Sequence, residues 1–319
     1  MKRLCIMAMI AALFAAVSCQ KENVKASISE DEAVATFSID LPAGLATKAI
    51  GDGSVATDLY YGVFSQDMKY IESLKQAEVL KVVNNKAQLK LKLVRNYTYT
   101  LVFWAQAPQA PYTFDAKSGI VKVDYKGKAN DLNRDAFCGV YTFEVPDAAT
   151  FDGTVTLKRP FAQINFAADD FAPIAELGLS MQSTIEVAGL ADTYNILTGE
   201  VSGSASTALE ASIVPAQFSP AETLEVGGKE YGYVSMNYIL APVNEYDKDG
   251  NVIVAQKELA NVRGNFTYNN KTITLDVPNV PYQRNFRTNI VGTMFTGEAD
   301  LTIIVDPAFH KQDIVTPIQ

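Results

Sequence analysis

From residue 33 onward apolar and polar positions alternate in short runs with a period of two, not 3.6. Ala35, Phe37, Ile39 and Leu41 alternate with Thr36, Ser38 and Asp40, which predicts a strand that buries one face. Runs of the same kind follow at 59–64, 78–83, 87–94, 97–105, 120–125, 137–145 and 154–157. After Lys158-Arg159-Pro160 interrupts the pattern, a second set occupies 161–166, 184–187, 194–197, 208–213, 233–240, 252–259, 261–268 and 272–277. The last two runs, 285–291 and 299–305, are joined across a glycine-containing turn and predict a closing hairpin.

Turn chemistry punctuates these runs. Asn84-Asn85 fits a two-residue hairpin turn, and 199–206 and Gly227-Gly228 are loops by composition. A helical period over ten or more residues is hard to find; 71–80 is the best short candidate in the first half. Short strands at this spacing predict an all-β protein of two tandem antiparallel β-sandwich domains, 33–158 and 159–319. The length of 319 residues allows two domains with ordinary cores, and 48% hydrophobic with 20% charged residues describes a globular protein.

The first 32 residues read differently. Met1-Lys2-Arg3 is a basic start, and residues 4–17 are an apolar run of 14 residues, too short to span a bilayer. The run ends in Ala16-Val17-Ser18-Cys19, small residues directly before a cysteine, as in a bacterial lipobox with alanine in place of the usual leucine. Residues 1–18 are therefore predicted to be a signal peptide, with Cys19 the lipidation site that fixes the chain in a membrane leaflet. Residues 19–32 are polar and charged and predict a flexible tether.

Loss of the leader would leave 25 basic against 36 acidic residues, a net charge of −11. That balance disfavours nucleic acid and anionic membrane surfaces as partners. Of the three cysteines, Cys5 leaves with the leader and Cys19 would be acylated, so Cys138 remains alone and no internal disulfide forms. Its apolar neighbours make Cys138 a small core residue, not a nucleophile.

Two further stretches carry a family resemblance. The closing sequence NVPYQRNFRTNIVGTMFTGEADLTIIVDPAF (279–309) resembles the terminal region of the fimbrillin-like lipoproteins of Bacteroidota, the type V pilin family. RPFAQINF (159–166) resembles the passage into their C-terminal domain, and Cys19-Gln20-Lys21-Glu22-Asn23 resembles the short charged signals that send lipoproteins of this phylum to the cell surface. The resemblance implies transthyretin-like sandwiches in a surface-exposed, outer-membrane lipoprotein that is the precursor of a pilus subunit contributing to adhesion. It implies partners in other pilin subunits, as a homo- or hetero-polymer, and in a trypsin-like processing protease.

In that family a protease cuts after a basic residue, the N-terminal strand leaves, and a strand of the next subunit enters the groove. Carried to this sequence, the cut falls after Lys48, in Ala46-Thr47-Lys48-Ala49, where many members have arginine. Phe37, Ile39 and Leu41 would be the plugs of the leader strand. Leu301, Ile303 and Val305, or the tail residues Ile314, Val315 and Ile318, are the candidate donors. A permanent edge strand at 33–41 and a solvated loop lysine are the simpler alternative.

The sequence carries little that resembles catalytic chemistry. His310 is the sole histidine, so paired-histidine metal sites and most histidine relays are excluded, and neither a GxSxG elbow nor a GxxxxGK[ST] phosphate loop occurs. Asp169-Asp170 reads as a solvated turn. Glu245, Asp247 and Asp249 precede Gly250 as in a calcium loop, but Gln256 stands where the bidentate glutamate belongs, and Asp249-Gly250 suits a hairpin turn. No enzyme activity, cofactor or metal is expected. The alternative function is a monomeric surface lipoprotein that binds a glycan or host ligand, using Tyr97, Tyr99, Trp104, Tyr112, Phe114, Tyr231, Tyr233 and Tyr238. Aromatic residues in strands ordinarily pack, which is the reading preferred for them.

Overall fold

In the computed structural model the described residues are 31–42, 53–125, 131–171, 181–204, 209–213, 223–243, 259–296, 300–307 and 314–317. Their regular structure is strand apart from two single turns of 3-10 helix, Glu72–Leu74 and Leu132–Arg134, so the chain is all-β. Among the described residues nine strands precede Lys158: β1 (Glu32–Asp40), β2 (Asp58–Ser65), β3 (Leu80–Lys81), β4 (Lys86–Val94), β5 (Thr98–Gln106), β6 (Tyr112–Asp115), β7 (Ile120–Val123), β8 (Phe137–Glu144) and β9 (Thr150–Thr156). Next come β10 (Phe161–Ala168), β11 (Met181–Val187), β12 (Thr193–Asn195), β13 (Val201–Ser202), β14 (Leu209–Ile213), β15 (Thr223–Val226) and β16 (Lys229–Leu240). The chain ends with β17 (Leu259–Tyr268), β18 (Lys271–Pro281), β19 (Phe286–Thr293), β20 (Asp300–Pro307) and β21 (Ile314–Pro317).

The first sandwich sets the sheet β4-β1-β9 against β3-β2-β5-β8. Its core is one apolar cluster holding Ala33, Phe37 and Ile39 from one sheet and Leu59, Leu101, Phe103 and Phe137 from the other. The second sandwich packs the six-stranded sheet β15-β16-β10-β19-β20-β21 on β14-β11-β17-β18, with Phe166 edge-on to Phe266 at 5.3 Å between ring centroids. A fifth sheet, β13-β12-β7-β6, takes strands from both sides of Lys158: Tyr194 of β12 pairs with Val121 of β7. One core accordingly contains Trp104, Tyr112 and Val121 together with Phe161, Ile164 and Tyr238.

The local patterns explain most of these elements. β1 and β4 alternate strictly between buried and less buried positions, as a two-residue period requires. β5 and β10 are buried on both faces over nearly their whole length because each lies between layers. Asn84 and Asn85 both adopt left-handed φ, 52° and 60°, and close a two-residue turn with Val83 and Lys86 bonded across it. The closing hairpin forms as read, β19 pairing antiparallel with β20 from Phe286↔Pro307 to Thr293↔Asp300.

Of the short helical candidate at 71–80 only the turn Glu72–Leu74 forms. The Gln76 side chain is the reason: its Oε1 accepts from Tyr61 N at 2.9 Å and its Nε2 donates to Leu59 O at 2.9 Å. The segment thus bonds to the edge of β2 through the Gln76 side chain and through Ile71 N, which donates to Val63 O at 2.9 Å, and a helical register would withdraw these bonds.

Candidate functional site

The first described strand is held along both backbone edges and buried on its inner face. β1 is not at an edge: it pairs antiparallel with β4, Glu32↔Val94 to Asp40↔Lys86, and parallel with β9, Val34↔Thr150 to Asp40↔Thr156. Its ends are held as well, with Arg95 N donating to Asp31 O, Val34 N to Ala149 O, Leu41 N to Asn85 O and Leu157 N to Asp40 O, all at 2.9 Å. Both backbone edges of the strand are satisfied, which an edge strand cannot achieve.

Side chains complete the enclosure. Ala33, Ala35, Phe37 and Ile39 have no exposed surface and Leu41 almost none. The Phe37 ring meets Phe143, Phe151 and Tyr141 edge-on, at centroid distances of 5.0, 5.9 and 6.2 Å. Across the parallel pairing it lies over Gly153, where a Cβ would stand 3.0 Å from Phe37 Cδ1. The missing side chain at Gly153 is what makes room for the ring. On the outer face Lys90 and Lys92 of β4 stand exposed beside Thr36 and Val34 of β1.

Just after β1 the chain passes residues 43–52 and returns at Gly53. The two ends of that passage meet: a Cβ on Gly53 would lie 3.3 Å from Pro42 O. Gly53 N donates to Asp135 Oδ2 at 3.1 Å, and Asp135 is also the buried partner of Arg159, which begins the second half of the chain. Arg159 Nη1 reaches Asn285 Oδ1 at 3.3 Å, and Arg284 donates to Ala241 O, Gly199 O and the Tyr194 hydroxyl. The Gln283-Arg284-Asn285 stretch, conspicuous in the sequence, therefore ties the closing hairpin to the junction between the halves.

Of the residues singled out from the sequence, Phe37, Ile39 and Leu41 are together on the buried face of β1. Leu301, Ile303 and Val305 lie on β20, which is held between β19 and β21, and Ile303 and Val305 are buried. Ile314 and Val315 are on β21, the edge strand of its sheet, joined to β20 by the pairs Thr302↔Pro317 to Val305↔Ile314. Cys19, Lys48 and Ile318 lie outside the described residues, as do the signal peptide, His310 and the loop from Glu245 to Gln256.

The aromatic side chains considered for a glycan platform do not form one. Trp104, Tyr99, Tyr112, Tyr233 and Tyr238 are buried, Phe114 and Tyr231 are half-buried, and the more exposed Tyr97 rests edge-on against Tyr99. Trp104 instead packs edge-on against Tyr112 and Phe161 in the shared core. Cys138 is buried with its Sγ 3.5 Å from the Tyr194 hydroxyl, and burial raises its thiol pKa.

Asp170 corrects the solvated-turn reading. Its side chain accepts from Met294 N, Phe295 N, Thr296 N and the Thr296 hydroxyl at 2.7–3.0 Å, and so organises the turn between β19 and β20. Burial pushes its pKa upward, but these four donors outweigh burial and hold it below the ordinary value of 3.8. No local signal in the sequence pairs Asp170 with a turn so far along the chain.

A β-sandwich protein whose first described strand lies at the centre of its sheet is the class this geometry defines. The chain belongs to a family of unknown function, DUF6562, whose profile matches residues 27–318. None of the curated proteins matches the sequence. Among solved structures, a candidate cell adhesion protein from Bacteroides uniformis aligns at a TM-score of 0.51 and 10% identity, over 88% of this chain and 99% of that one. A fimbrial assembly protein from Parabacteroides distasonis aligns at 0.46 and 13% identity, over 90% and 100%. The tip fimbrial protein Mfa3 from Porphyromonas gingivalis aligns at 0.45 and 9% identity, over 86% and 99%. At these identities the likeness is one of fold, and at that level the resemblance to fimbrillin-like proteins is borne out.

Proposed function

We propose that this chain is a surface-exposed fimbrial subunit precursor, anchored in the outer membrane through Cys19 and contributing to adhesion. It assembles by giving up β1 after a trypsin-like cut at Lys48 and accepting a strand from another subunit. The observation that carries this reading is the enclosure of β1. Removing it would bare unpaired backbone on β4 and β9 and an apolar floor between them, a combination that only another strand satisfies. The fold shared with fimbrial and adhesion proteins supports the same reading, and the role is assembly, not catalysis. The rival glycan-binding reading is weakened by the burial of Tyr99, Trp104, Tyr112, Tyr233 and Tyr238.

The test is limited trypsin digestion of the purified mature protein, followed by N-terminal sequencing and incubation with excess isotope-labelled peptide of sequence 31–42. A new N-terminus at Ala49, with the cut chain but not the uncut chain exchanging its leader for the peptide, is the expected result. Lys48→Ala should prevent both. A cut at Lys48 that leaves the leader irreplaceable would count against the proposal.

A further inference from the structure

We infer that the β1 slot selects its occupant by side-chain size, and that the occupant is a proline-free strand of a different protein, not the C-terminal tail of a second copy. The inference rests on the strand-exchange reading above and specifies the partner.

The size code is visible in the register. The alanines of β1 stand opposite large neighbours: Ala33 faces Leu93, and Ala35 faces Leu91 on one side and Phe151 on the other. Each large residue of β1 has one small neighbour and one larger one: Phe37 faces Gly153 on β9 and Leu89 on β4, and Ile39 faces Ala87 on β4 and Val155 on β9. A Cβ at Gly153 would approach Phe37 to 3.0 Å and Tyr141 Cε1 to 3.3 Å, so any side chain at position 153 would crowd the aromatic pocket. Filled cores tolerate neither extra volume nor a void, and each mismatch along this slot is therefore felt. The slot calls for small, small, aromatic, aliphatic and aliphatic residues at alternate positions.

No other stretch of this chain carries that order. The tail sequence Ile314-Val315-Thr316-Pro317-Ile318 has no aromatic residue to fill the Gly153 pocket, and neither have Leu301, Ile303 and Val305. Proline adds a second obstacle. β21 ends at Pro317 and β20 at Pro307, both tolerable where they are, but β1 is bonded along both edges and a proline there would forfeit a ladder hydrogen bond. The slot and the tail of one chain are mismatched in both side chains and backbone, and a foreign strand resolves both.

The experiment uses the full mature chain, with a site-specific protease sequence inserted within residues 43–52 and cut there. Excess synthetic peptides compete for the slot, and replacement of the leader fragment is followed by native mass spectrometry. Peptide 31–42 should exchange, its Phe37→Ala and Ala35→Phe versions should compete about 100-fold less well, and a 310–319 peptide should not enter. A Gly153→Val chain should reverse the preference between peptide 31–42 and its Phe37→Ala version; if that chain does not fold, the peptide series on the unaltered chain decides. Equal entry by the 310–319 peptide or the Phe37→Ala peptide, or ladders formed by the cut chain alone, would overturn the inference while leaving strand exchange standing. Failure of peptide 31–42 itself to enter would overturn strand exchange, and the size code with it.

Discussion

Asp135 and Arg159 form a buried ion pair across the passage from the first half of the chain to the second. Arg159 Nε donates to Asp135 Oδ1 at 2.6 Å and its Nη2 to Oδ2 at 2.9 Å, while the guanidinium lies 4.7 Å over the Phe137 ring. Asp135 also receives Gly53 N–H, so the same carboxylate holds the chain where it returns from residues 43–52. Removing one partner leaves the other charge buried and uncompensated. Asp135→Ala should cost about 3–5 kcal/mol in urea unfolding, and replacing the pair together, by Asp135→Leu with Arg159→Met, should cost less than the single change.

Phe37→Ala in the intact chain should lower stability by about 3–5 kcal/mol, because it empties a pocket lined by three rings. Gly153→Ala should be destabilising by about 1–3 kcal/mol through overpacking, and Phe37→Leu in the same chain should recover part of the loss. Denaturant midpoints at unchanged slope would register both effects.

The Asp170 carboxylate gives an acid-sensitive contribution. Its folded pKa lies below the ordinary value of 3.8, so its contribution is fully present above that value and is lost as pH falls through the folded pKa. Asp170→Asn should therefore be less stable than the unaltered protein at pH 7, by about 1–3 kcal/mol for the charged acceptor lost. The gap should narrow below about pH 4. Thermal unfolding from pH 7 to pH 2 measures it.

Cys138 should resist alkylation in the folded protein. The thiol is buried and burial raises its pKa, so both access and thiolate fraction are low. Iodoacetamide labelling should rise across the urea transition in step with unfolding, and rapid labelling of the native protein would contradict the packing described.

Cys19→Ala should abolish palmitate incorporation and shift the protein from the membrane to a soluble periplasmic fraction. Equal labelling of the variant would remove the lipid anchor from the proposed function.

The alternation of apolar residues by itself determined that this is a strand protein, where most strands run, and where Asn84-Asn85 turns the chain. That much is local, because a pleated backbone sends successive side chains to opposite faces whatever lies beside it. The same alternation in β1 fits an edge strand and a central one equally well, and only the tertiary structure placed it between β4 and β9. Strand neighbours are chosen by backbone bonds between segments far apart in sequence, and no local pattern records them. Asp170 illustrates the limit: two adjacent aspartates read as a solvated turn until three backbone amides from residues 294–296 close on one of them. The fit of Phe37 over Gly153 is of the same kind, since a glycine between Asp152 and Thr154 becomes part of a pocket only when a parallel strand lays an aromatic ring across it.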